Sequence, residues 1–443
     1  MKFFLKGGGI VFFLSDYLDK RPFPGIKKSS GYQQYACWQE IVWLKPEPAK
    51  GQVYEAVFLF FSTTDAMSVL YLAMNNDNKI YITKSRMPDE DFFFRQCRDI
   101  FKSAWITNNG NYVRKLEYSL SAYLGISHLL ACNNGTTALM LALQCAGLAG
   151  KKVAVTPYTY VATLSALLWI GCEPVFIDID PDSLCLSPDL LRDRLKKEPD
   201  IAGVLPVHIY GLACDVEALE SICKEYGQTI IYDAAQAFGS KYKGKSLLDY
   251  GGYSICSFHA TKIFHTAEGG CVVSHNAEAH NALSLARAFG HINDNHYSLG
   301  INAKMSELHA ALGLSLLAGT DEEIARRKEL HAMYDQALDG LPLKYPSICE
   351  GLEWNNVYYP ILLPDEESRV RVETALSVQN IIPRRYFYPA LNTLPYLKEE
   401  WRISCPVAED AARRVLCLPG YSDLSNEYIY RIAESIKSEL HRL

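Results

Sequence analysis

The residue with the clearest chemical use is Lys262, at the end of Ser257-Phe258-His259-Ala260-Thr261-Lys262, a stretch that closes in Glu268-Gly269-Gly270. The run Tyr253 to Cys256 before it reads as a strand end, and Gly269-Gly270 opens another strand. Alone, a lysine near glycines reads as a solvated loop residue. Withheld from water at a strand mouth, its amine loses affinity for a proton and becomes a nucleophile able to form an imine with a carbonyl compound. Pyridoxal phosphate is the commonest such compound, and it needs an acid at its pyridine nitrogen. Asp233, which ends Thr229-Ile230-Ile231-Tyr232-Asp233, is the candidate.

The elements around these residues alternate. Leu129 to Cys132 reads as a buried strand running into Asn133-Asn134-Gly135-Thr136-Thr137 and an Ala- and Leu-rich helix. That geometry aims free amides and two hydroxyls at an anion, although an ordinary cap by Thr136 or Asn134 accounts for it equally. Strands follow at 152–156, 174–179, 201–208 and 229–233, with helices at 160–170, 188–195 (Ser187 its cap) and 216–225. Such alternation predicts right-handed βαβ units and a mainly parallel sheet, with ligands beyond the carboxyl ends of the strands. Asn134, Thr156-Pro157, His208 and Asp233 all lie at such ends and are expected to converge.

Upstream, the spacing predicts an amphipathic helix over 89–104, a turn at Trp105 to Gly110 and a second helix over 113–124. Beyond Ser274 helices are expected at 277–288, 306–317 and 321–338, then a strand at 358–363 and helices at 366–379 and 426–440. The run Arg385-Tyr386-Phe387-Tyr388-Pro389 is notable only as aromatic. The expected division is residues 1–78 as an N-terminal extension, 79–330 as a large domain and 331–443 as a small C-terminal α/β domain. Residues 1–73 carry no motif, and Met74 reads as an alternative start.

Composition narrows the classes. At 443 residues the chain exceeds one compact core, and 49% hydrophobic residues supply a large buried sheet. A net charge of −6 argues against nucleic acid or an acidic membrane as partner. No stretch reaches the about 20 apolar residues of a membrane helix, and the N-terminus lacks the pattern of a signal peptide. The thirteen cysteines form no C-x-x-C pair, which fits reduced thiols in the cytoplasm, and the histidines show no metal-binding spacing. No G-x-G-x-x-G follows the first strand, which disfavours a dinucleotide-binding reductase.

From about Ile80 to the end, roughly four fifths of its length, the chain resembles the DegT/DnrJ/StrS family of PLP-dependent nucleotide-sugar aminotransferases. Six motifs stand in the family's order: Asn134 to Leu139, Pro157 to Thr163, Val207 to Gly211, Asp233 to Gly239, Ser257 to Lys262 and Gly300 to Glu307. The resemblance implies an α/β fold of the aspartate aminotransferase type (fold type I). It implies that Lys262 holds pyridoxal 5'-phosphate and moves protons, that Asp233 keeps the pyridine nitrogen protonated, and that Gln236 bonds the ring hydroxyl. By the same resemblance Tyr160 stacks on the ring, Thr136, Thr137 and Ser257 bind the phosphate, and Asn302 reaches the neighbouring subunit's phosphate in a homodimer with shared sites. His208, Trp105 and Asn108 are candidate sugar contacts, and for His208 a purely structural hydrogen bond is an equal reading. The loop His291 to His296 reads more simply as a solvated connection.

Two features set the chain within or apart from that pattern. An aromatic and an arginine often follow the family asparagine; here Ala303 and Lys304 stand there, so Lys304 is a candidate contact of altered geometry. The sequences Thr266-Ala267-Glu268-Gly269-Gly270 and His259-Ala260-Thr261-Lys262 are similar to the branch of dTDP-4-amino-4,6-dideoxyglucose transaminases. The expected activity is transfer of an amino group, from L-glutamate, to a nucleotide-linked 4-keto-6-deoxy sugar for surface-glycan synthesis such as O-antigen. A 3-keto sugar or other ketone aminotransferase, and a PLP-binding regulator without turnover, are the alternatives. Dehydratases of the family carry histidine at the lysine position, so Lys262 favours transamination.

Overall fold

The computed structural model describes residues 79–441 and four short strands nearer the N-terminus. The chain divides into two compact units, residues 1–79 and 80–443. In the first, Phe3–Lys6 pairs antiparallel with Gly9–Phe12, and Val42–Leu44 with Ala56–Phe58. Met74 lies outside the described residues.

The second unit is built on a seven-stranded sheet: β1 (Leu129–Cys132), β2 (Lys152–Val155), β3 (Glu173–Phe176), β4 (Ile201–Leu205), β5 (Thr229–Asp233), β6 (Tyr253–Ser257) and β7 (Gly270–Ser274). Their order is β1-β7-β6-β5-β4-β2-β3. β6, β5, β4, β2 and β3 run parallel, while β7 is antiparallel to both β6 and β1. The strands are short, almost wholly buried runs of β-branched and small residues, as strands covered on both faces must be. The expectation of a mainly parallel sheet in an α/β chain is met.

Helices clothe the sheet. α1 (Glu90–Ser103) and α2 (Asn111–Leu124) pack on α8 (Glu307–Leu317). α3 (Gly135–Cys145) lies on β6 and β7 and against α4 (Val161–Trp169), while α5 (Pro188–Lys197) pairs with α6 (Val216–Tyr226) and α7 (Ala277–Ala286) packs on α3. Caps agree with the sequence: Asp89 and Ser187 accept from Phe92 and Leu190 amides at 2.7 and 3.4 Å. Of the strand expected over 201–208, the regular part spans Ile201–Leu205; Pro206, which has no N–H to give, interrupts the ladder, and pairing resumes at Val207 opposite Asp233.

A separate apolar core forms around α9 (Thr320–Ala337), the antiparallel pair β8 (Tyr359–Leu362) and β9 (Val415–Leu418), and α10 (Glu366–Val378). α11 (Pro406–Arg414) packs on α10 but buries Ala408, Ala411 and Ala412 in the main core, and α12 (Asn426–Leu440) completes the C-terminal one. The division expected at 330/331 falls inside α9, which runs through it unbroken. Leu330, Tyr334 and Leu338 belong to this C-terminal core, and so does Ile80, whose strand Ile80–Tyr81 pairs in parallel with Ile381–Ile382. The described end of the large domain as expected is thus shared with the small one.

Arg327 ties α9 down. Its side chain is buried and holds Glu323 at 2.7 Å and the carbonyls of Val357 and Gly420 at 3.0 and 2.6 Å. Truncation leaves the Glu323 carboxylate buried without its cation, so Arg327→Ala is expected to cost about 3–5 kcal/mol of stability, read from the urea unfolding midpoint; a change below about 1 kcal/mol would refute the role.

Candidate active site

The carboxyl ends of β1, β5 and β6 open on a cavity of ≈ 310 Å³, lined by Thr136, Tyr160, Asp233, Gln236, Ser257 and Lys262 among others. The parallel register sets Asp233 opposite Ile255, two residues before Ser257. Lys262 sits in the turn that follows β6, held by its amide to the His259 carbonyl at 2.8 Å. Burial pushes the Lys262 amine below its ordinary range, against the pull of Tyr386, Cys256, Asp233 and Tyr160. Burial pushes the Asp233 carboxyl up, opposed by hydrogen bonds from the Thr163 hydroxyl (2.8 Å) and Ala235 amide (3.1 Å) and by the Lys262 charge. Each group therefore favours the charged form of the other.

An anion seat adjoins them at the start of α3. The Asn134 side chain accepts from the Thr137 amide at 2.8 Å, and the Asn134 carbonyl from the Ala138 amide at 3.2 Å. The amides of Gly135 and Thr136 make no such bond within the described chain, and both residues line the cavity beside Ser257. Backbones approach closely here: a Cβ on Gly270 would stand 2.7 Å from the Gly135 nitrogen and the Asn134 carbonyl carbon. Unpaired helix-start amides and the hydroxyls of Thr136 and Ser257 suit a phosphate without any cation. The donor set thus fits a phosphorylated aldehyde with a basic ring nitrogen: an amine, a buried carboxylate and an anion seat around one space.

Other expected residues lie elsewhere. Thr137 does not line the cavity; its hydroxyl turns back to Asn133 Oδ1 at 2.5 Å, so its part is in the helix start. His208 is fully buried and stacked on Tyr232 with ring centroids 4.7 Å apart; its Nδ1 accepts from the Cys214 amide at 3.2 Å. Its backbone does reach the strand mouth, with Val207 paired to Asp233 and the His208 amide donating to the Asp233 carbonyl at 3.0 Å, but the ring turns into the core, which agrees with the structural reading. Asn302 is exposed and accepts from Lys304 Nζ at 2.7 Å, while Lys304 lies over the Phe289 ring at 4.8 Å. Lys304 shares a separate ≈ 660 Å³ groove with Asn108, and Trp105 lines another hollow beside Gly110 and Glu307. None of Asn302, Lys304, Asn108 and Trp105 faces the Lys262 cavity of its own chain.

Sequence reasoning missed Thr163 as the partner of Asp233, although Thr159 and Thr163 stand one helical turn apart and share a 3.0 Å contact. It also missed the C-terminal wall: Tyr358, Arg384, Tyr386 and Phe387 close the cavity. Tyr158 and Tyr210, joined hydroxyl to hydroxyl at 2.7 Å, both reach the Tyr386 carbonyl and fix that wall.

The family profile of the DegT/DnrJ/EryC1/StrS aminotransferases matches residues 88–437. The chain belongs to that family. Among its relatives, the dTDP-4-amino-4,6-dideoxy-D-glucose transaminase of Escherichia coli is 34% identical over 374 residues, covering 82% of this chain and 100% of its own length. The Shigella dysenteriae protein of the same name is 36% identical over 369 residues, covering 82% and 99%. The crystal structure of DesI in the presence of its TDP-sugar product superposes with a TM-score of 0.77 at 31% identity, covering 83% of this chain and 94% of that one. Among the described residues no helix is long and apolar enough to cross a membrane.

Thr163→Val removes a hydrogen bond to a buried carboxylate, worth about 1.5–3 kcal/mol. The expected loss is about 10- to 100-fold in kcat/KM for amino transfer; an unchanged value would show that Thr163 does not orient Asp233. Acid stability gives a second check. Burial lowers the pKa of His208 to about 3, so the unfolded chain takes the proton first. The contribution is therefore whole above about pH 6.5 and lost as pH falls from there toward 3. Urea unfolding across that window is expected to show a shallower decline for His208→Gln than for the wild type.

Proposed function

We propose that this aminotransferase uses pyridoxal 5'-phosphate to move an amino group from L-glutamate to a nucleotide-linked 4-keto-6-deoxy sugar, such as dTDP-4-keto-6-deoxyglucose. The observation that carries the reading is the meeting of the Lys262 amine and the Asp233 carboxylate in one cavity beside an anion seat. When bound, pyridoxal phosphate supplies an electron sink conjugated to the reacting carbon. Lys262 would hold the cofactor through its aldehyde, and as the one amine among the described residues of the cavity wall it would serve as the general base for the donor Cα proton. Burial lowers its proton affinity and so favours the neutral amine that this task requires.

Asp233, held in place by Thr163 and the Ala235 amide, accepts the ring N–H. The Gln236 Oε1 accepts from the Tyr210 amide at 2.5 Å, which leaves its Nε2 protons for the ring hydroxyl. Tyr160, half exposed over the cavity, supplies a stacking face. Gly135, Thr136 and Ser257 seat the phosphate.

The 34% and 36% identity to the E. coli and Shigella dTDP-4-amino-4,6-dideoxy-D-glucose transaminases over most of the chain supports a dTDP-linked sugar as acceptor. Asn302, which serves no cavity of its own chain, supports a homodimer in which it reaches the partner's phosphate seat. The reading places the enzyme in the cytoplasm, in the synthesis of a surface glycan such as O-antigen. A 3-keto acceptor leaves every residue role unchanged, and a PLP-binding regulator would share the site without turnover.

Purified protein is expected to be yellow, and borohydride is expected to fix the cofactor on the peptide that contains Lys262. L-Glutamate should bleach the absorbance band of the unreduced enzyme, and a panel of nucleotide 3-keto and 4-keto sugars should restore it only with the true acceptor. Lys262→Ala should lose the label and at least about 10⁴-fold of the rate, on the scale of removing a covalent catalyst. A colour indifferent to every amino acid would favour the regulator.

A further inference from the structure

We propose that Arg384 binds the α-carboxylate of the amino donor. The proposal rests on the transaminase reading above and names a residue that reading leaves without a task.

An amino donor brings its carboxylate into the cavity one carbon away from the nitrogen that reacts. A carboxylate there is desolvated, and it needs a cation within the cavity wall rather than on the outer surface. Lys262 is committed to the aldehyde and to the proton. His259 lines the cavity too, but its Nε2 faces Glu268 at 3.7 Å and its Nδ1 accepts from the Thr261 amide at 3.3 Å. Arg384 is the one guanidinium among the lining residues.

Its setting suits a waiting clamp. Of the neighbouring arginines, Arg327 holds Glu323 and Arg369 holds Glu366 and Glu373, while Arg385, 3.8 Å from Glu366, does not line the cavity. Arg384 has no carboxylate partner among the described residues. Its guanidinium carbon stands 5.1 Å from the centre of the Tyr386 ring, a contact that uses none of the five N–H donors. Its backbone is fixed on both sides to β9, by its amide to the Cys417 carbonyl (3.2 Å) and by the Cys417 amide to its carbonyl (2.8 Å). Tyr386, on which it rests, has its own carbonyl held by Tyr158 and Tyr210. A planar fork whose root and ring support are fixed, with its donors free, matches a carboxylate in two-point contact.

The two half-reactions test this separately in the holoenzyme. With L-glutamate, Arg384→Gln is expected to raise the half-saturating concentration for bleaching by about 30-fold or more, while cofactor colour and the reverse half-reaction with the amino sugar product stay within about twofold. Wild type should discriminate strongly between L-glutamate and its α-amide, and Arg384→Gln should lose that discrimination. Arg384→Lys keeps the charge without the fork and should recover part of the loss, which also shows that the position tolerates change. Equal weakening of both half-reactions, or undiminished discrimination in Arg384→Gln, would overturn the proposal. A wild-type enzyme that bleaches with no amino acid would instead overturn the transaminase reading beneath it.

Discussion

Everything in this molecule depends on keeping two opposite charges out of water within reach of each other. A buried carboxylate or a buried ammonium alone is costly, and each here is pulled toward neutrality by desolvation. The sheet supplies the remedy. β5 and β6 are neighbouring parallel strands, so Asp233 at the end of one and the lysine turn after the other open on the same edge. α4 presents Thr163 to the carboxylate, and the Ala235 amide completes it. The remaining architecture holds this edge dry: α3 behind the anion seat, and the C-terminal aromatic wall across it.

That wall is where the C-terminal segment enters the site. Phe387 stacks on Tyr210 with centroids 6.0 Å apart and meets Tyr158 edge-on at 6.1 Å. Tyr158 and Tyr210 come from the loops after β2 and β4, so three distant parts of the chain share one aromatic cluster. Through it the sheet sets the position of Tyr386 and Arg384. The wall is an extension of the core, and its geometry comes from packing rather than from a flexible lid.

Much of this was legible in the sequence because it obeys short-range rules. Strand–turn–helix alternation gave the sheet, cap residues gave the helix starts, and six of the eight residues expected to hold a cofactor line one cavity. The failures have long-range causes. Arg384 and Tyr386 are brought in by a pairing with Cys417 that no local period encodes. The two readings of His208 could not be separated in the sequence, because the direction of its ring is set by stacking on Tyr232 and by the Cys214 amide. Thr137 was read as a ligand-binding hydroxyl, when the neighbouring asparagines claim it for the helix start. α11 and β9 were unanticipated: a nine-residue helix with arginines in its last turn, followed by four apolar residues, carries too little period to separate.

The unbroken course of α9 through residue 330 carries a mechanical meaning. A rod of 18 residues cannot bend at its middle without breaking its own backbone hydrogen bonds, and Arg327 rivets it to two carbonyls of the C-terminal lobe. Residues on either side of position 330 therefore shift together, and the backbone at Val357 and Gly420 shifts with them.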